Sequence, residues 1–147
     1  MAAQRWIFEP TGRHVHVEFN GETIADSKRV MLMIESSYEL HYYFPAEDVR
    51  TDLLTATGDT QHSGYRGDAH LYTLTVGDRS AENAAWTYPE TLGERPDLSG
   101  YFAFTWKAMD QWMEEDEVVL GHPRNPYHRI DTIKSSRHVQ VVIDGVT

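Results

Sequence analysis

The clearest periodicity in the chain runs from His14 to Phe19. Val15, Val17 and Phe19 fall on one face there, and His14, His16 and Glu18 on the other. A period of two with one apolar face predicts a half-buried strand. Asn20-Gly21 follows, a pair suited to a type I′ turn because both central positions of that turn need positive φ. Glu22 to Asp26 is therefore expected to return as a second strand. Arg29 to Glu35 predicts a third, and the aromatic-rich Glu39 to Phe44 a fourth that Pro45 stops. Ala46 to Leu54 predicts a short helix, with Glu47 and Asp48 in its first turn and Val49 and Leu53 four apart.

Thr55 to Gly67 holds three glycines and no apolar alternation, which predicts a loop. His70 to Val76 alternates again, Gly77-Asp78 marks a hairpin turn, and Ser80 to Tyr88 predicts the returning strand with Trp86 and Tyr88 on one face. Pro89 to Gly100 is expected to be an exposed connection, and Tyr101 to Phe104 a short strand. Trp106, Met109 and Met113 recur at helical spacing, so the principal helix is expected near Lys107 to Glu115. The acidic run Glu114 to Glu117 behind it is either a solvated rim or a partner for cations elsewhere. His128 to Lys134 and Arg137 to Ile143 predict a last hairpin across Ser135-Ser136. Its apolar face would carry Ile130, Val139, Val141 and Ile143, and its polar face Arg129, Asp131, His138 and Gln140. Together these elements predict a mainly β fold, a compact antiparallel β-barrel or folded-over sheet with one or two short helices.

Composition narrows the function classes. With 147 residues, 40% of them hydrophobic, the chain suits a single domain over 1–147. A net charge of −10 argues against nucleic acid and against anionic membrane surfaces. The absence of cysteine removes disulfides, thiolate metal sites and thiol nucleophiles. Without a membrane-length apolar run or a signal-like segment in Met1 to Pro10, the expected location is the cytoplasm.

Against that acidic background Gly121 to His138 changes the picture. It carries Arg124, Arg129, Lys134 and Arg137, three of the eight histidines and a single acid, Asp131. Pro123 and Pro126 stiffen it. Guanidinium groups on a stiff loop suit recognition of a carboxylate or phosphate, and equally suit bracing of structural carboxylates. Elsewhere, His14 and His16 share a strand face, but two histidines without a thiolate do not make a site, and no structural metal is expected. His62 to Gly67 offers backbone amides and the Arg66 guanidinium to an anion, or is a tight turn. Trp86 and Tyr88 suit stacking on a planar ligand or packing in a core. Arg50, between Asp48 and Asp52, belongs to a charged cluster of the kind that normally faces solvent. No P-loop, dinucleotide fingerprint, zinc-protease helix motif or nucleophile elbow is present.

Longer motifs add a resemblance. Tyr42-Tyr43-Phe44-Pro45 with Glu47-Asp48-Val49, Gly67-Asp68-Ala69, and Glu82-Asn83-Ala84-Ala85-Trp86 with Tyr88-Pro89 resemble the bacterial and fungal family catalogued as domain of unknown function 427. So do His122-Pro123-Arg124, Pro126-Tyr127-His128-Arg129, Asp131 and Ser136-Arg137-His138-Val139. The likeness covers about residues 15–143 and leaves 1–12 as a leader. It implies a compact, mostly β, tent-like domain and settles neither activity nor cofactor. The family often has Cys-Pro-aromatic-Lys-Gly where this chain has Ser63-Gly64-Tyr65-Arg66-Gly67, and aspartate where it has Asn125. It is sometimes labelled nucleotidyltransferase-like, yet this chain lacks a Gly-Ser followed by paired metal-binding aspartates.

The leading expectation is binding of a small planar or anionic, nucleotide-like ligand by Tyr43, Arg50, Trp86, Arg124, Arg129, Asp131 and Arg137. The rivals are an enzyme using His122 or His128 as general acid or base with Tyr127 and Arg124 orienting an anionic substrate, and a protein-interaction module. A homodimer stays open.

Overall fold

The computed structural model describes residues 6–36, 39–64, 66–91 and 96–146. Tyr65, residues 1–5 of the expected leader and residues 92–95 of the expected connection lie outside the described residues. Eleven antiparallel strands are described: β1 (Ile7–Pro10), β2 (Val15–Phe19), β3 (Glu22–Ser27), β4 (Met31–Ser36), β5 (Glu39–Pro45), β6 (Leu54–Ser63), β7 (Gly67–Val76), β8 (Arg79–Thr87), β9 (Tyr101–Phe104), β10 (Gln111–Glu114) and β11 (Glu117–Val119). They form a seven-stranded sheet in the order β1-β4-β5-β9-β8-β7-β6 and a four-stranded sheet in the order β11-β10-β2-β3. The expected barrel does not close, because β1 and β6 remain as edges. β1 lies in the stretch expected as a leader, yet it pairs with β4 from Ile7↔Ile34 to Pro10↔Met31.

Side-chain alternation explains the layering. On β4 and β5, Leu32, Ile34, Leu40, Tyr42 and Phe44 join the main core with Val15, Val17, Phe19, Ile24 and Trp112 of the small sheet. Met33 and Tyr43, one residue out of phase, join a second cluster with Ala69, Tyr88, Leu98 and Ala103. Both faces of β4 and β5 are therefore covered, which is why these two strands read as nearly continuous apolar runs. Asn20 and Gly21 have φ of 48° and 79°, as the type I′ turn requires. A bulge then interrupts the hairpin. Glu18 pairs with Thr23, but Val17 pairs with Ala25, so Ile24 and Ala25 both turn inward and are buried.

Four expectations are corrected. Ala46 to Leu54 forms two 3-10 turns, Ala46–Asp48 and Thr51–Leu53, rather than one helix. Thr55 to Gly67 is mostly β6, a polar edge strand whose side chains are largely exposed, so no apolar alternation marks it. Gly58 (φ 82°) sits at its register break between Ala56 and Thr60. The helix near Lys107 to Glu115 is a 3-10 turn, Trp106–Ala108, followed by β10. Trp106 and Trp112 are brought together by ring stacking at 4.1 Å and 2° rather than by helical turns. The last hairpin does not form. Residues 128–142 follow an irregular path, and Ile130, Val139, Val141 and Ile143 are 99%, 77%, 69% and 70% exposed. No helix among the described residues is long and apolar enough to cross a membrane.

Candidate functional site

The large sheet is joined at its middle by only two residue pairs, Phe44↔Phe102 and Pro45↔Tyr101. Beyond Phe44 the strands part, and a cleft of about 400 Å³ opens with Leu40, His41 and Tyr42 on the β5 side and Trp86, Phe104 and Thr105 on the other. The stacked Trp106 and Trp112 form part of its lining, together with Arg66, His122 and Pro123. A second hollow of about 390 Å³ shares His41, Arg66 and Trp86 with the first and continues to His62, Ser63 and Tyr88. These three shared side chains form the boundary between the two spaces.

Each is held from the β-sheet side. His41 meets Trp86 edge-on, with ring centroids 5.5 Å apart at 86°. The Trp86 indole Nε1–H donates to Tyr43 Oη at 3.3 Å. Arg66, from the turn between β6 and β7, places Nε 3.2 Å from Glu35 Oε1 and Nη2 4.0 Å from Glu39 Oε2. Its guanidinium also lies 5.8 Å from the Tyr88 ring centroid. Glu35 is 6% exposed on the same face of β4 as Met33.

Burial governs the charges here. It pushes the Glu35 carboxyl up to about 7, against the pull of Arg66 and with help from Glu39. It lowers the His41 imidazole, with the Arg66 charge acting in the same direction. It raises the Tyr43 phenol to about 12. Arg66 is half-buried, which opposes its charge, but the nearby Tyr88, Glu35 and Tyr43 oxygens outweigh that and raise its pKa. Near neutral pH the pocket therefore presents a neutral imidazole and a fixed cation, with a buried carboxyl close to half-protonation against that cation. Such a set can hold an anion and can exchange one proton.

The family model described as a domain of unknown function (DUF427) matches residues 7–115. The chain belongs to that family. No curated protein matches it. The matched stretch of this DUF427 domain includes Glu35, His41, Tyr43, Arg66, Trp86 and Tyr88, and ends before Gly121.

The residues expected from the sequence fall in several places. Tyr43 and Trp86 meet beside the cleft, and His122 lines it with Nδ1 2.7 Å from the Pro123 carbonyl. Arg124 and Tyr127 line a different hollow of about 260 Å³, where the Tyr127 hydroxyl donates to Glu9 at 2.5 Å. Arg124 is 3.5 Å from Glu117, 3.9 Å from Glu114 and 4.0 Å from Asp131. Arg129 pairs with Asp131 at 3.0 Å, Arg137 with Glu115 at 3.0 Å and Arg50 with Asp52 at 2.9 Å. Asp131 is drawn in among Arg13, Arg124 and Arg129. His128 is exposed. Arg124 and Arg137 thus turn back onto the acidic run and Arg129 onto Asp131, so an incoming anion would compete at these three arginines with carboxylates already in place.

From the sequence, Glu35 and His41 carry no expected site role, and the Arg66 guanidinium is expected either to meet an anion or to sit in a tight turn. A signal was present. Glu35 closes the run Val30-Met31-Leu32-Met33-Ile34, and His41 lies between Leu40 and Tyr42. A lone polar group in phase with buried positions marks a polar pocket.

Proposed function

We propose that the domain binds a small planar anion, nucleotide-like in joining an aromatic ring to negative charge, in the cleft bounded by Trp86, His41 and Arg66. The observation that carries the reading is a cleft of about 400 Å³ lined by three indoles, those of Trp86, Trp106 and Trp112, with one half-buried arginine at its edge. That volume is in the range of small-molecule sites, and such sites pair an apolar wall with few polar anchors. Trp86 supplies the face for the ring, fixed by its bond to Tyr43. Arg66 supplies the fork for the charge. An anion beside Arg66 also favours the protonated form of Glu35, so binding takes up a proton near neutral pH and strengthens as pH falls through about 7.

The test is a thermal-shift and calorimetric screen with adenosine monophosphate, nicotinate and inorganic phosphate. Wild type, Arg66→Gln, Trp86→Ala and Arg124→Ala are compared by ligand-induced shift. An aromatic anion should stabilise wild type, and losing one charge-assisted bond in Arg66→Gln should weaken it roughly tenfold to a hundredfold. Arg124→Ala should respond as wild type does. A response lost in Arg124→Ala and kept in Arg66→Gln would move the site to the Gly121 to His138 segment. No response to any aromatic anion would end the proposal.

A further inference from the structure

On the far face of the small sheet, away from the cleft, the geometry points to a binding site for a zinc-class divalent cation made by His14, His16 and Asp26. Val15, Val17 and Phe19 point into the core, and His14, just ahead of β2, stands beside His16 of that strand on the opposite face. Their rings lie 5.4 Å apart, centroid to centroid. The third group comes from the bulge. An unbroken two-residue hairpin would set Ala25 opposite His16, whereas the shift at Ile24 sets Asp26 there instead. A carboxylate thus joins two imidazoles, which the sequence spacing alone does not disclose.

Two observations distinguish this cluster from an ordinary surface ion pair. The Nε2 atom of His16 is buried and has no hydrogen-bond partner, an arrangement folded proteins seldom leave unresolved. His14 Nε2 already contacts Asp26 Oδ1, and one ligand atom from each of the three residues lies within 4.8 Å of the others. Ligand atoms on one tetrahedral zinc ion sit about 3.3 Å apart, so small rotations of the two imidazoles close the set. Two nitrogens and one oxygen suit zinc, cobalt, nickel or copper, while magnesium and calcium prefer oxygen alone. Three protein ligands leave a fourth position for water, and Asp26 is exposed, so the ion would be exchangeable and would clamp β2 to β3.

The experiment uses the untagged full chain stripped with chelator and titrated with Zn²⁺ by calorimetry and with Co²⁺ by visible absorption. Expected are one ion per chain, Co²⁺ bands of a four- or five-coordinate site, a higher melting temperature with Zn²⁺, and no response to Mg²⁺. His16→Gln and Asp26→Asn should each weaken Zn²⁺ by more than the roughly tenfold that loss of an outer-shell partner costs. Both substitutions lie outside the core, and circular dichroism of the metal-free variants checks that they fold. His122→Gln, in the cleft, should bind Zn²⁺ as wild type does. Absence of saturable Zn²⁺ binding, or binding that survives His16→Gln, would overturn the site.

Discussion

Replacing Glu35 by glutamine tests the electrostatics of the cleft without changing its shape. In the folded chain the carboxyl is 6% exposed, and burial moves it from an ordinary 4.5 to about 7. Its folded pKa lies above its unfolded one, so the folded state binds the proton more tightly. Stability from this group is complete below about 4.5 and falls as pH rises, until it is lost above about 7. At about 1.4 kcal/mol per pH unit, the whole loss is about 3 kcal/mol, of which about 2 to 3 kcal/mol falls between pH 5 and 8. Glutamine cannot ionise and lacks this contribution. Urea denaturation of wild type and Glu35→Gln from pH 5 to 8 measures it, and the difference between the two curves cancels most other titrating groups. The variant should gain on wild type by that amount as pH rises. Parallel curves would mean that Glu35 is not shifted. A variant that loses ground with rising pH would mean that Arg66 holds Glu35 as a carboxylate, and the account of the cleft's charges would fail.

Two further outcomes concern the acidic turn. Arg13→Ala leaves Glu114, 1% exposed, without its 2.7 Å partner, and should cost about 3 kcal/mol or more in denaturant unfolding; a loss under about 1 kcal/mol would mean that Tyr42 and Arg124 suffice. Arg124→Ala should lower the melting temperature by several degrees and Arg129→Ala by little. The Arg124 side chain is 16% exposed among three carboxylates, whereas that of Arg129 is 49% exposed on one, and exposed pairs contribute about 0 to 1 kcal/mol.

How much of this was legible in the sequence depended on whether one face of an element was apolar. The hairpin about Asn20-Gly21 and the strands at Met31–Ser36, Glu39–Pro45 and Tyr101–Phe104 lie close to their expected bounds, because each sets a regular apolar face against a core. β6 lacked that signal, since an edge strand with solvent on most side chains has no pattern to impose. The helical spacing of Trp106, Met109 and Met113 arose by coincidence: β10 sends Trp112 and Glu114 inward and leaves Met113 only half-buried. The expected last hairpin had alternation but no surface to receive its apolar face. For the candidate site, Tyr43 and Trp86 were visible as aromatics on strands. Their link to Arg66 and Glu35 was not, because it runs between strands that are not neighbours in sequence.

The cationic segment and the cleft are connected by the same accounting of charge. A cluster of arginines in an acidic chain invites an anionic ligand, but here their carboxylates come from the chain itself. Glu114 is buried, and Arg13 and Arg124 approach it from opposite ends of the sequence. Glu115 holds a left-handed backbone (φ 53°) while its side chain accepts from the His14 amide, from Ser135 and from Arg137. Taking one of these arginines for a ligand would strand a buried or strained acid, and stranding a buried charge costs several kcal/mol. Arg66 is placed differently. Its nearest carboxylate, Glu35, becomes neutral by taking a proton near pH 7. The cost of releasing that guanidinium to a ligand is then set by a protonation available at neutral pH rather than by the collapse of a turn. On that ground Arg66, and not Arg124, is the cation we assign to the ligand.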